Sequence, residues 1–180
     1  MSVSNYTNIG PIMNTIRSIN KQSPIKSVLD IGIGFGKYGF LLRELLDIRV
    51  NRYNKDSWQT QIDGVEIWDA YVNKLHRYIY DKIYIGSIIE FSIPQTYDLV
   101  IMSEVIEHLT KDEGTKLLNK LSFNTALIIT TPQHFVSNAN KEWENPYERH
   151  LCLWTVDELK SLFPNLTPLT RTAFLVTNNG

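Results

Sequence analysis

The stretch that decides the fold covers residues 28–39 and reads VLDIGIGFGKYG. A short apolar run ends at Asp30, and Gly32, Gly34 and Gly36 then occupy alternate positions before a helical pattern of apolar residues begins. This order predicts a buried strand, a tight turn and a helix. Glycine lacks a Cβ, so its backbone can pass close to a bound molecule. The turn is therefore a candidate ligand site.

The spacing of these glycines restricts the kind of ligand. It is G-x-G-x-G, which differs from the G-x-G-x-x-G of dinucleotide-binding folds, and no Lys-Ser or Lys-Thr pair follows to hold a phosphate. Asp30 places a negative charge at the turn, which disfavours a pyrophosphate and favours a cation. The pattern indicates a nucleoside with a positive group near its ribose. S-adenosylmethionine (SAM), with its sulfonium and amino groups, is such a ligand.

Apolar runs and helical patterns alternate along the rest of the chain. Strands are predicted near residues 64–67, 82–85, 97–102 and 126–130, with a final strand inside 170–177 and a helix over 68–80. Most of the strands are apolar throughout, which is typical of a parallel sheet covered on both faces. The predicted fold is a Rossmann-like three-layer α/β/α sandwich with a mainly parallel sheet. Ligands of such sheets lie at the carboxyl ends of the strands.

Three capping patterns and one polar segment indicate further local structure. Residues 110–113, 155–158 and 87–90 each have the spacing of a capping box, which predicts a helix start. Residues 48–61 are polar and are interpreted either as a mobile insertion near the ligand or as a surface loop.

Glu66 closes the second predicted strand. Adjacent strand ends of a parallel sheet lie close together, so its carboxylate can reach a ligand on the glycine turn and accept both ribose hydroxyls. The alternative is a solvent-exposed acid at a strand end. With the glycine turn upstream, the ligand role is favoured.

These features resemble the class I SAM-dependent methyltransferases, whose first motif is similar to the glycine turn. The resemblance covers roughly residues 26–163. It implies transfer of a methyl group from SAM to an oxygen or nitrogen of an acceptor. It also implies a set of SAM-binding residues: Asp30, Gly32, Gly34, Gly36 and Glu66 first, followed by Ile67, Ser87, Ile88, Ser103 and Glu104.

The resemblance is imperfect after the third strand. In this family an Asp often stands at the position of Ser87 and contacts the adenine amino group. Ser87 is expected either to make a weaker version of that contact or to cap a following helix, and the two roles are compatible. Ile88 would then pack against the adenine ring.

A second motif follows the fourth strand. It reads Glu104-x-x-Glu107-His108, a spacing that puts the three side chains on one face of a helical turn. Carboxylates with an imidazole suit magnesium, manganese or a similar divalent ion. The alternative is that Glu104 lines the site while Glu107 and His108 make local hydrogen bonds.

This segment, together with Thr131-Pro132 and residues 149–155, resembles the small-RNA 2′-O-methyltransferases. The match to the ubiquinone-pathway O-methyltransferases lies mainly in residues 104–108. The resemblance implies Glu104, Glu107 and His108 as metal ligands, with His150 as a fourth in the RNA group.

Candidate catalytic bases are histidines, which can accept a proton near neutral pH. His108 and His134 are the first candidates, and His150 is a third; a bound metal could instead lower the pKa of an acceptor hydroxyl. Residues 135–149 are interpreted as a wall or lid over the acceptor, or as an ordered loop whose aromatic residues fill the edge of the core.

Length and net charge indicate the domain organisation and the kind of acceptor. With 180 residues, one domain is expected: an N-terminal helix and linker over 1–24, a SAM-binding core over 25–132, and an acceptor-side loop, helix and final strand over 133–180. The net charge of −1 favours a small-molecule or sugar-like acceptor, with RNA as the runner-up. A non-catalytic SAM-binding module and a nucleotide-dependent oxidoreductase stay open.

The expected location is the cytoplasm. No apolar run is long enough to cross a bilayer, and the first ten residues lack the apolar core of a signal peptide. Cys152 is the single cysteine, which excludes an intrachain disulfide and a cysteine-cluster metal site. The sequence does not indicate an oligomeric state.

Overall fold

A computed structural model describes residues 5–134 and 145–178, and the structural statements below concern these residues. Seven strands form one sheet in the order β3-β2-β1-β4-β5-β7-β6. Strands β1 to β5 are parallel, whereas β7 pairs antiparallel with both β5 and β6. The strands are β1 (Ser27–Ile31), β2 (Gln61–Glu66), β3 (Lys82–Ile85), β4 (Tyr97–Ser103), β5 (Phe123–Thr130), β6 (Thr167–Pro168) and β7 (Ala173–Thr177).

Five α-helices and several short 3₁₀ turns connect the strands. The helices are α1 (Ile9–Gln22), α2 (Lys37–Leu46), α3 (Lys74–Ile79), α4 (Lys111–Lys120) and α5 (Val156–Leu162). The 3₁₀ turns are Tyr6–Asn8, Ile48–Val50, Lys55–Ser57, Asp69–Tyr71, Ile106–His108 and Pro146–Glu148. None of the described helices is long and apolar enough to cross a bilayer.

The sheet has a separate apolar core on each face. Side chains alternate between faces along a strand, so Val28 joins one core and Leu29 the other. The first core contains Ile12 and Ile16 of α1 and Leu42 of α2, and the second contains residues of α4 and α5. This confirms the predicted three-layer α/β/α fold with a mainly parallel sheet.

Two helix predictions were wrong in detail. Residues 68–80 form a 3₁₀ turn and the separate helix α3, because the Asn73 side chain accepts a hydrogen bond from Leu75 N–H and begins a new helix. Residues 87–90 form only a single turn, with Ser87 Oγ accepting from Ile89 N–H. Pro94 disfavours helical backbone at the residue before it, which limits this segment. The capping boxes at 110–113 and 155–158 are confirmed.

Residues 48–61 are anchored at the surface away from the glycine turn. The buried Asp47 carboxylate accepts hydrogen bonds from Arg43 at 2.7 Å, from Arg52 at 3.1 Å and from the Gln59 backbone at 2.8 Å. The surface-loop interpretation therefore holds. Part of the segment belongs to β2, which begins at Gln61, three residues earlier than predicted.

Candidate active site

A cleft opens at the carboxyl ends of β1 to β4. It brings together nine of the ten predicted SAM-binding residues, and the cleft-lining residues also include His108. The exception is Gly36, which is buried at the start of α2. The nine are Asp30, Gly32, Gly34, Glu66, Ile67, Ser87, Ile88, Ser103 and Glu104.

The glycine turn needs glycine for two reasons. Gly32, Gly34 and Gly36 have φ values of +73°, +50° and +83°, in the left-handed region that other residues rarely adopt. A Cβ on Gly32 would also lie 2.3 Å from Cγ2 of Val105. The glycine turn therefore packs against the loop after β4. On the side that faces the cleft, the turn exposes backbone atoms.

Glu66 joins the glycine turn to the end of β2. Its Oε2 accepts a hydrogen bond from Gly34 N–H at 2.9 Å, and its Oε1 accepts one from Trp68 N–H at 2.9 Å. Burial raises the pKa of Glu66, although these backbone donors oppose the rise. An ionised carboxylate has about four acceptor positions. Glu66 therefore keeps capacity for ligand hydroxyls.

Asp30 lies deeper in the same cleft and is 2% exposed. Burial raises its pKa from 3.8 to about 6; the hydrogen bond from Tyr80 opposes this rise, and repulsion from Glu66 adds to it. A cation in the cleft would favour the ionised form of Asp30. The site is therefore suited to a positively charged ligand.

Glu104 has strained backbone at the end of β4. Its φ is +55°, which is unusual for a residue with a Cβ. Its N–H donates to Thr130 O at 3.0 Å, and its Oε1 accepts from Thr130 Oγ1 at 2.8 Å. Such strain costs about 1–3 kcal/mol and clusters at functional sites. It turns Glu104 into the cleft.

A candidate metal-ligand group lies next to Glu104. Glu107, His108 and His150 offer ligand atoms that lie within 4.8 Å of one another. Glu107 is 2% exposed, and neither carboxylate oxygen has a well-formed hydrogen bond within the described residues. Burial and repulsion from Glu104 raise its pKa well above the usual range. An unpaired buried carboxylate is costly, and a divalent ion would compensate for it, so the donor set fits.

The other predicted metal ligand, Glu104, and the predicted catalytic bases differ from one another in their surroundings. Glu104 does not belong to this three-residue group and is engaged by Thr130. Burial lowers the pKa of His108, whose Nδ1 lies 3.1 Å from Arg149 O. His134 is exposed beside the Arg171 guanidinium and is not among the cleft-lining residues. Most of the predicted acceptor wall, residues 135–144, lies outside the described residues.

Residues 145–148 of that wall contact the cleft. Tyr71 donates a hydrogen bond to Glu148 Oε1 at 2.8 Å, and the rings of Trp68 and Tyr147 meet edge to face at 6.1 Å. Tyr71 and Glu148 could not be predicted from the sequence, because no local pattern connects residues 77 positions apart. The predicted wall over residues 135–149 was the indication in the sequence that this segment contacts the site.

The comparisons with known proteins bear on the fold. No protein-family model and no curated protein matches the sequence. Solved structures do match. The amino pentose methyltransferase CalS10 from Micromonospora echinaspora, solved with SAM bound, is 13% identical over 96% of this chain and 90% of its own, with a TM-score of 0.61.

Two further structures extend the comparison. The sugar N-methyltransferase KedS8 from Streptoalloteichus is 13% identical over all of this chain and 95% of its own, with a TM-score of 0.60. The small RNA methyltransferase HEN1 is 20% identical over 98% of this chain and 26% of its own, with a TM-score of 0.57. The chain thus has the Rossmann-like fold that class I SAM-dependent methyltransferases adopt.

Proposed function

We propose that this chain is a SAM-dependent methyltransferase that acts on an oxygen or nitrogen of a small-molecule or sugar-like acceptor. The observation that carries the proposal is the contact between Gly34 N–H and Glu66 Oε2, made inside a cleft that Asp30 also lines. This arrangement offers open backbone to an adenosine, a carboxylate to its ribose and negative charge to its sulfonium.

The residues of the cleft would have defined tasks. SAM supplies a methyl group that its sulfonium already activates, so the protein has mainly to position the acceptor, for which effective molarities of about 10⁵ M or more are known. His108 is the candidate base within the cleft. Burial lowers its pKa, which keeps the ring neutral and able to accept a proton at neutral pH.

The sugar-like acceptor is supported by what two structural neighbours act on. CalS10 is described as an amino pentose methyltransferase and KedS8 as a sugar N-methyltransferase. The low net charge of this chain also favours an uncharged or small acceptor over a polyanion. We further propose that residues 1–180 form one catalytic domain, divided as predicted at residues 24 and 132, and that the protein acts in the cytoplasm.

Methyl transfer to a panel of acceptors tests this proposal. Purified protein would be incubated with methyl-labelled SAM and with amino sugars, sugar hydroxyls, catechols or RNA oligonucleotides. Label should pass to a small molecule, and a Glu66→Ala variant should lose this transfer. Transfer to RNA alone would refute the small-molecule acceptor. SAM binding without turnover on the whole panel would indicate a non-catalytic module.

A second candidate is a metal-dependent RNA 2′-O-methyltransferase. The observation that favours it is the group of Glu107, His108 and His150, together with the structural similarity to HEN1. In that case these residues would hold a magnesium or manganese ion, which acts as a Lewis acid on an acceptor oxygen. Activity on RNA 3′ ends should then disappear on chelation and weaken steeply with salt. Chelator-resistant activity would count against it.

A further inference from the structure

His76 is a buried residue that contacts the glycine turn from α3. Its side chain is fully buried, and its Nε2 lies 2.9 Å from Gly34 O. Its other nitrogen, Nδ1, accepts a hydrogen bond from Asn73 N–H at 3.2 Å. Because Nδ1 is an acceptor, the proton of the neutral ring is on Nε2. His76 therefore donates to the Gly34 carbonyl.

This bond fixes the turn on the side opposite Glu66. The Gly34 N–H donates to Glu66 Oε2 and the Gly34 carbonyl accepts from His76, so the peptide groups on both sides of its Cα are restrained. A Cβ on Gly36 would lie 3.2 Å from the His76 ring, which shows how closely the ring packs under the turn. Two glycines of the motif are thus in direct contact with this imidazole.

The same segment also supports Asp30. Tyr80, which directly follows α3, stacks near-parallel on the His76 ring with centroids 6.3 Å apart and donates to Asp30 Oδ2 at 2.6 Å. One element therefore holds both the glycine turn and the acid at the end of β1.

We infer that His76 is a positioning residue for the cofactor: its Nε2–H bond to Gly34 O holds the glycine turn in the geometry that binds the nucleoside. This inference rests on the proposed function. The competing explanation is that His76 only begins α3, through the bond that its Nδ1 accepts from Asn73.

Two substitutions separate these explanations. In His76→Gln the amide nitrogen can take the place of Nε2 and keep the bond to Gly34, while the acceptor for Asn73 is lost. In His76→Asn the amide oxygen can take the place of Nδ1 and keep the helix start, while the donor to Gly34 is lost. One net hydrogen bond corresponds to about a three- to tenfold change in affinity.

The test is calorimetric titration with S-adenosylhomocysteine, with thermal unfolding measured in parallel. The Asn variant should bind about three- to tenfold more weakly than the Gln variant, whatever the order of their melting temperatures. Equal affinities, or weaker binding by the Gln variant than by the Asn variant, would refute the positioning role. If wild-type protein binds neither SAM nor its product, the proposed function fails instead.

A measurement on the wild-type protein tests the same hydrogen bond without relying on variants that fold poorly. Nitrogen-15 NMR of the His76 ring should show a neutral ring protonated on Nε2, with that proton protected from exchange. A ring protonated on Nδ1 would contradict the bond to Gly34, independently of whether SAM binds.

Discussion

The hydroxyl of Tyr80 lies 2.6 Å from Oδ2 of Asp30, and both side chains are buried. The bond stabilises the ionised carboxylate, yet burial still raises the pKa of Asp30 to about 6. In the free protein this acid therefore titrates in a range where it can respond to a cationic ligand. The cost of burying it points to a role in binding rather than in stability.

Replacement of Asp30 by Asn should make the stability of the free protein less dependent on pH. The folded-state pKa of Asp30 is above its ordinary value of 3.8. Its contribution to stability is therefore complete below about pH 4 and is lost as pH rises through 6, a loss on the order of 3 kcal/mol. Urea unfolding from pH 4 to 8 should show Asp30→Asn gaining stability relative to wild type as pH rises.

Asp98→Asn is the matched control for that series. Burial raises the pKa of Asp98, but hydrogen bonds from Asn124 and from the backbone of Lys26 and Ser27 lower it below the usual value. The stabilisation that Asp98 gives the folded protein is therefore present above its ordinary pKa and is lost as pH falls through the lowered pKa. Over pH 4 to 8 this contribution is already almost complete, so Asp98→Asn should be less stable than wild type by a nearly constant amount. Parallel curves for the two variants would contradict the assignment of Asp30.

SAM binding should strengthen from pH 5 to pH 7. The ionised form of Asp30 attracts the sulfonium, and this form dominates only above its pKa of about 6. Calorimetry should show a steeper pH dependence for SAM than for S-adenosylhomocysteine, which lacks the sulfonium charge. The Asp30→Asn variant should reduce the difference between the two slopes. Equal slopes in the wild-type protein would argue against a sulfonium near Asp30.

Removal of the Glu66 carboxylate should weaken nucleoside binding. Hydrogen bonds to a charged group contribute about 1.5–3 kcal/mol, which is roughly a ten- to hundredfold change in Kd. Glu66→Ala should bind S-adenosylhomocysteine more weakly by about this factor, while Glu90→Ala, which alters an exposed residue, should not. Wild type should prefer adenosine over 2′-deoxyadenosine, and Glu66→Ala should lose the preference. Unchanged affinity would remove Glu66 from the site.

A divalent ion should stabilise the protein through Glu107. Its buried carboxylate oxygens have no well-formed hydrogen bond to any residue of 5–134 or 145–178. Magnesium or manganese should therefore raise the melting temperature, and Glu107→Gln should abolish that rise. Without metal, Glu107→Gln should be at least as stable as wild type, because burial already favours the uncharged acid at this position and the amide is uncharged and similar in size. Asp112→Asn, on α4, is the control. A rise of equal size in wild type and Glu107→Gln would place the ion elsewhere.

The part of the site that the sequence predicts is built from local patterns. Asp30, the glycine turn and Glu66 lie at strand ends, and a parallel sheet brings such ends together whatever the details of packing. His76, Tyr80 and Glu148 could not be predicted in this way. His76 is 42 positions from Gly34, and Glu148 is 77 positions from Tyr71, so their contacts depend on how α3 and residues 145–148 pack.

The two local errors have causes of their own. Asn73 interrupts a continuous amphipathic pattern because its side chain caps a new helix, which periodicity alone does not reveal. Ser87 has the spacing of a capping residue but lies in a single turn that lines the cleft. At Ser87 the capping bond forms, but Pro94 limits the helix that it would begin.

A crystal structure of the complex with S-adenosylhomocysteine is the sharpest test of a nucleoside site at the glycine turn. We expect the adenosine to lie over the glycine turn, with both ribose hydroxyls on the Glu66 carboxylate and the adenine beside Ile67 and Ile88. A nucleoside bound elsewhere would refute this site, and so would a cleft that the protein's own side chains fill when the compound is present at saturating concentration.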